Sequence, residues 1–415
     1  MTSVRQLDVM ARFTSPDFRR DPYPFLRWLR EHEPVHRTAK GFYLISRHAD
    51  ADRVLRDPDG VFRTPDRDLL TRQFPAAAGH RSVSLLLNSL PALNSPVHTR
   101  IRRLVARDFT PKRVADLQGQ IDRTFEALLD GVADRLRAGD EVDLHAELTK
   151  PFALAVIADL LGVPADVRGD LAPDASELAS ALGSGDESLL ARADEHAGRL
   201  EGYFRDLADQ RRREPRGDLV SALVRDHGDG DDQLSDDELA AMLWILWNVG
   251  FEGTAAAIEH GVRALIEHPE QRHWLQDHRS ALAFADEVLR HTGPQIFLGV
   301  SQIATRDIEL SRVRLPAGSQ LRPVLAAANR DPDVFADPDR FNPGRDNSAS
   351  LVFGQGAHHC LGIFLARAEI ATALRQLHGR FPSLRMADEP TWSESFTMRV
   401  ASRFPVVLGD APRRG

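Results

Sequence analysis

The sequence predicts a mainly α-helical fold with small β-sheets, organised as one domain over residues 1–415. Three observations carry that prediction. Long segments repeat apolar residues at three- and four-residue spacing; the alternating segments are few and short; and no repeat, low-complexity tract or linker divides the chain. Length alone would allow two or three average domains. The composition, 42% hydrophobic and 27% charged, is that of a globular protein able to bury a large core.

In chain order, residues 1–20 scatter Arg5, Asp8, Arg12, Asp17, Arg19 and Arg20 and are expected to be loosely ordered. No apolar run there is long enough for a signal peptide or a membrane span. Asp21-Pro22-Tyr23-Pro24 sets a turn that feeds an amphipathic helix beginning at Phe25. Val35–Arg37 and Gly41–Ser46 alternate on either side of Thr38-Ala39-Lys40 and read as a hairpin. Residues 57–97 read as a loop. Helical spacing then runs through 112–137, 150–162, 187–213, 218–226, 235–266, 269–278 and 280–291, with a Gly- and Asp-rich break at 226–233. Strand-like pieces return at Leu298–Gln302, Ile308–Leu310, Val313–Leu315 and Gln320–Val324, and a second loop covers 329–352.

Charge and cysteine usage narrow the function. Lys plus Arg number 53 against 61 Asp plus Glu, a net charge of −8, which disfavours nucleic acid and an anionic membrane surface as partners. A cytoplasmic chain is expected. One cysteine excludes an intrachain disulfide and any multi-cysteine zinc or iron–sulfur site. The chain stops soon after Phe404-Pro405-Val406-Val407, so no fused electron-transfer module is expected.

That cysteine sits in Phe353-Gly354-Gln355-Gly356-Ala357-His358-His359-Cys360-Leu361-Gly362. Gly354 and Gly356 permit unusual backbone angles and close approach to a flat ligand, and Gly362 removes a side chain just beyond the sulfur. Backbone amides can then point at a thiolate, and Ile363–Leu374 reads as a helix whose N-terminus favours negative charge.

These ten residues resemble the haem-binding signature of cytochrome P450 enzymes, Phe-Gly-x-Gly-x-His-x-Cys-x-Gly, at every fixed position. The resemblance implies a single-domain P450 fold with haem b between a long central helix and the cysteine-loop helix. It implies Cys360 as the axial iron ligand, Phe353, Gly354 and Gly362 as haem neighbours, and His358 as a propionate contact. His359 occupies a variable position and reads as a surface residue or one that only supports the site.

Three further segments extend the resemblance from about Asp21 to Val407. Glu287-Val288-Leu289-Arg290 places an acid and a base on one helical face, and by itself reads as a solvated ion pair. In the family such a pair locks to an arginine before the haem loop, a role that Arg345 fits. His98 and Arg102 share a helical face; without the cysteine loop they read as a basic surface patch, and beside it they resemble the family's propionate contacts. Ala328-Asn329-Arg330-Asp331-Pro332 is a further familiar stretch. Gln302 stands where many members carry a propionate-binding Arg.

Leu239–Leu265 reads as one long helix with Gly250 and Gly253 among its interior residues, each costing about 0.8–1 kcal/mol against Ala. A groove that admits oxygen and water, or close helix packing, would compensate. Gly250-Phe251-Glu252 resembles the start of the family's Gly-x-Glu/Asp-Thr signature. The next residue departs from it: Gly253 replaces the Thr whose hydroxyl helps to deliver protons. Thr254 lies about 100° further round the helix and does not substitute for it. The expected catalytic group is therefore Glu252, Gly253 and Thr254, with Glu252 as proton source and ordered water, together with a substrate hydroxyl, in the space at Gly253. Asn248 shares the face of Glu252; it reads equally as an anchor for a substrate carbonyl or hydroxyl and as an amide bonded within the protein.

Expected pocket residues are Leu86, Leu87, Asn248, Val249, Ile296, Phe297, Thr397 and Met398, with Phe297 and Met398 equally readable as core. The implied activity is insertion of one oxygen atom from O2 into a C–H bond of a mainly apolar metabolite such as a polyketide, macrolide or terpenoid. Electrons would come from NAD(P)H through a ferredoxin and its reductase, docking near Arg103, Arg107, Lys112 and Arg113 on a monomeric enzyme. Two alternatives stay open: an oxidant that couples, rearranges or uses peroxide, and a catalytically silent haem-binding recruitment protein.

Overall fold

The structure, a computed structural model, describes residues 9–73, 79–171, 187–225, 233–395 and 397–409. Its longest helix shows how local signals set an element. Thr110 accepts the Arg113 N–H, Pro111 follows at the first turn, and Gly139 at φ +86° closes Pro111–Ala138. Ile121, Phe125, Leu129, Val132 and Leu136 form its buried stripe. This helix packs on the cysteine-loop helix Ile363–Arg380, which also packs on Glu252–Glu267 and His278–Thr292. The main apolar core lies among these four.

Five strands form the largest sheet, in the order β1-β2-β8-β5-β3. They are β1 (Val35–Arg37), β2 (Tyr43–Ile45), β3 (Phe62–Arg63), β5 (Gln302–Ala304) and β8 (Gln320–Pro323). The expected hairpin is present, with Val35 opposite Ile45 and Arg37 opposite Tyr43. β2 and β8 pair in parallel, and the remaining ladders are antiparallel. Ile308–Leu310 and Val313–Leu315 form their own antiparallel pair, at the bounds the alternation predicts.

Several expectations are corrected. Residues 9–20 are not irregular: Val9–Phe13 and Pro16–Arg20 are helices whose Phe13 and Phe18 enter the core, while residues 1–8 lie outside the described set. The 57–97 stretch contains β3 and the helices Arg67–Gln73 and Arg81–Leu87. These are too short for a clear period, and the second is started from a distance, because Asp194 accepts the Ser82 N–H. Residues 269–275 tighten into a 3-10 helix. Leu298–Gln302 is not a strand; β5 begins at Gln302. The break at 226–233 falls mostly outside the described residues.

The central helix is divided. Ser235 and Glu238 form a capping box for Asp236–Val249, and a second helix, Glu252–Glu267, starts after Gly250-Phe251. By length and composition, Asp236–Glu267 is apolar enough to cross a membrane, but 72% of its most apolar window is buried inside this fold.

Candidate active site

The cysteine loop is held by its backbone. Gly354 and Gly356 adopt φ +69° and +68°. A Cβ at Gly356 would stand 2.6 Å from the Leu55 carbonyl oxygen, so glycine is required there twice over. The Cys360 N–H donates to the Phe353 carbonyl at 2.8 Å, and Gly362 caps the helix that follows. Burial pushes the Cys360 thiol pKa up, while the Gly362 N–H and the Arg102 guanidinium favour the thiolate.

Helix Val97–Val105 brings His98 and Arg102 to this loop. Arg102 donates to the His359 carbonyl at 2.6 Å. The His98 and His358 rings lie 4.2 Å apart. Burial, then the Arg102 charge, lowers the His98 pKa; burial, then His98 and Arg102, brings His358 to about 4. Burial, followed by Arg102 and Arg56, lowers His359 as well. Both His98 and His358 are therefore neutral donors at neutral pH, and His98 Nε2 is buried with no partner. An orphaned imidazole, a guanidinium and a buried thiol facing a glycine cradle fit a haem with its carboxylates. Among the described residues, no cluster of three His, Cys, Asp or Glu side chains could hold a metal by itself.

Glu287 and Arg290 have no exposed side-chain surface and pair through two hydrogen bonds, of 2.7 and 2.8 Å. Arg290 also donates to the Asn329 and Pro338 carbonyls, and Glu287 accepts the Asn342 N–H. Arg345 joins them at 3.7 Å from Glu287, but its hydrogen bonds go to the carbonyls of Ala336, Asp337 and Arg340. The pair is thus buried rather than solvated, and it anchors the 329–352 loop.

On the opposite side of the central helix, Glu252 opens Glu252–Glu267. A Cβ at Gly253 would meet only Met398 Cε, at 4.0 Å, whereas one at Gly250 would clash with Ile157 at 2.5 Å. Close packing therefore explains Gly250, and open space surrounds Gly253. Thr254 is buried. Asn248 donates to the Trp244 carbonyl at 2.7 Å, and its Oδ1 is buried without a partner. Val249 is 60% exposed between the fully buried Trp247 and Phe251, so the helix has one accessible face here. Leu86 and Leu87 pack partly buried on the main core. Ile296 and Phe297 are buried against the N-terminal helices, with Phe297 4.7 Å from Phe13. Gln302 is a buried residue of β5.

The sequence reading missed two features. Asp286 and Arg367 bond twice at 2.6 Å, tying His278–Thr292 to the cysteine-loop helix. Glu369 is fully buried on that helix; burial raises its pKa well above the ordinary value, and its Oε2 has no partner. A carboxylate on an otherwise apolar face is the only signal that could have flagged it.

Comparisons with known proteins agree with this geometry. The family model described as Cytochrome P450 matches residues 281–399. Cytochrome P450 BJ-3 of Bradyrhizobium diazoefficiens is 43% identical over 98% of both chains. The 6-deoxyerythronolide B hydroxylase of Saccharopolyspora erythraea is 32% identical over 95% of this chain and 99% of its own length. The epothilone D-bound structure of cytochrome P450epoK superposes with a TM-score of 0.86 at 28% identity, covering 96% of this chain and 99% of that one.

Proposed function

This chain belongs to the cytochrome P450 family and is a haem b-dependent monooxygenase drawing electrons from NAD(P)H through redox partners, and from that premise we propose its substrate class and the residues that serve it. The substrate is a mainly apolar metabolite of polyketide, macrolide or terpenoid character, and one oxygen atom from O2 enters a C–H bond. The macrolide-type names among the relatives support this reading.

The observation that carries the site assignment is the cysteine loop with its orphaned histidine. Cys360 would ligate the haem iron through its thiolate. His98, Arg102 and His358 would hold the haem carboxylates, with Phe353, Gly354 and Gly362 around the sulfur. When bound, the haem supplies oxygen chemistry tuned by electron density pushed from the thiolate. Glu252 holds the proton to be delivered, and the space at Gly253 admits water and a substrate hydroxyl. Thr254 points elsewhere on the helix. One Asn248 N–H is engaged by the Trp244 carbonyl and its Oδ1 is free, so the amide accepts from a substrate hydroxyl. Leu86, Leu87, Val249, Thr397 and Met398 complete the pocket.

A ferredoxin and its reductase serve a single-domain, monomeric, cytoplasmic enzyme. The docking face carries exposed Arg103, Arg107 and Lys112 beside half-buried Arg113, which donates to the Gly217 carbonyl. The missing hydroxyl at Gly253 favours a second reading, a peroxide-using or rearranging oxidant. One experiment separates these. Purified protein should give the thiolate-type spectrum of the reduced carbon monoxide complex, and Cys360→His should abolish it. Oxygen-dependent turnover of a macrolide panel with ferredoxin and reductase is then expected. Turnover with peroxide alone would favour the second reading, and no turnover from an intact haem-thiolate protein would leave the silent recruitment protein.

A further inference from the structure

Arg322, on β8, is a largely buried cation with no counter-charge among the described residues. Its Nε has neither solvent nor a hydrogen-bond partner. Burial alone accounts for its lowered pKa, with no carboxylate near enough to offset it. The one contact of its charge is the Phe42 ring, 5.4 Å from the guanidinium carbon. The arginines that are fully buried each have a carboxylate or carbonyl partner. Arg290 has Glu287, Arg211 has Asp218, Arg30 donates to the Ala327 carbonyl, and Arg399 donates to the carbonyls of Arg19 and Arg20. A buried Nε–H without such a partner is costly unless an acceptor completes it, and the terminal nitrogens of the same guanidinium stay open to an anion.

The surrounding backbone links β8, the strand of Arg322, to the segment that carries Met398. Met398, beside Gly253, bridges to Gln295, and the Thr397 carbonyl accepts the Ile296 N–H at 2.9 Å. Phe297 bridges to Val324, and the Leu298 N–H donates to the Pro323 carbonyl at 3.2 Å. The extended segment Gln295–Leu298 therefore leads from the side chain facing Gly253 to the residue next to Arg322. Three residues of extended chain cover about 10 Å. Beyond it, Leu298 and Val300 are half-buried and Gly299 is exposed.

We propose that Arg322 is the subsite for the anionic end of the substrate, a carboxylate on an otherwise apolar molecule whose oxidised carbon lies roughly 10 Å or more away. This rests on the monooxygenase reading and narrows it to acidic substrates. A planar guanidinium pairs with a carboxylate through two parallel hydrogen bonds, and Phe42 holds its other face in place. The haem carboxylates have their own partners in His98, Arg102 and His358, so Arg322 is left for a different anion.

The test is a titration of the holoenzyme with dodecanoic acid, methyl dodecanoate and 1-dodecanol, followed by the haem spin shift, in wild type, Arg322→Met and Arg322→Lys. The acid should bind wild type about tenfold or more tighter than the ester, as a charge-assisted pair predicts. Arg322→Met should bring the acid to the ester's affinity and leave the ester unchanged, and Arg322→Lys should retain part of the preference. Thermal unfolding of Arg322→Met should be no lower than wild type, because an unpaired buried charge has been removed. Equal binding of acid and ester by wild type, absence of an acid-induced shift, or haem loss in Arg322→Met with discrimination intact would each overturn the proposal. A neutral macrolide that shifts the spin state without any acid preference would sink this subsite and leave the monooxygenase reading standing. Loss of the thiolate-type carbon monoxide spectrum in wild type would instead sink the site assignment.

Discussion

Glycine does opposite work on the two sides of the central helix. In the cysteine loop, Gly356 is bound by a positive φ and by the Leu55 carbonyl, so the backbone tolerates no side chain. At Gly253 the backbone is helical and the nearest neighbour to an added Cβ is a flexible methionine end at 4.0 Å. The first glycine holds a fixed geometry around Cys360; the second leaves room. On the cysteine side the Glu287–Arg290 pair also anchors a loop, through bonds between the two side chains and to the backbone. One side fixes the backbone around Cys360 and the other leaves space beside the helix.

The largest test of that contrast is Glu287→Gln. It leaves the Arg290 guanidinium buried against a neutral amide, and a loss of about 3–5 kcal/mol in unfolding free energy is expected. Denaturant titration would measure it, and a loss below about 1 kcal/mol would mean that the pair is no anchor.

Paired glycine replacements come next. Gly356→Ala should cost about 1–3 kcal/mol from strain and overpacking and lower haem retention. Gly253→Ala should stay within about 1 kcal/mol of wild type, because alanine suits a helix and meets open space. Equal losses in thermal melts would erase the distinction between the two sides.

The smallest expected effect concerns Glu369. Burial raises its pKa in the folded state, so the proton is held more tightly there than in the unfolded chain. Its stabilising contribution is complete below the ordinary carboxylate range. It falls as pH rises through that range and is gone once pH passes the folded value. Glu369→Gln removes this dependence. Above the ordinary carboxylate range the variant should gain on wild type in melting temperature, and the gap should widen with pH. A constant gap between acidic and neutral pH would show that Glu369 is not held protonated.

The chemistry-bearing loop was legible because it is local. Spacing within ten residues identified Phe353 to Gly362, and helical periodicity identified Pro111–Ala138 and Lys150–Leu161 almost to the residue. Alternation likewise marked the bounds of β6 (Ile308–Leu310) and β7 (Val313–Leu315). The helix Arg81–Leu87 was not legible, since Asp194, more than a hundred residues away, satisfies its first amides. Phe297 reads equally as pocket and as core in the sequence, because a sequence does not reveal which side of an extended segment the N-terminal helices cover.

By itself the sequence determined the helical fold class, the cysteine loop and the residue types able to hold a haem, because short-range spacing and covalent identity fix those. Only the tertiary structure decided that Gly250 is packed and Gly253 open, that Asn248 keeps a free acceptor, and that Arg322 lacks a counter-charge among the described residues. Each of those outcomes depends on what a distant segment places against the residue, and burial and partnering are properties of the folded chain.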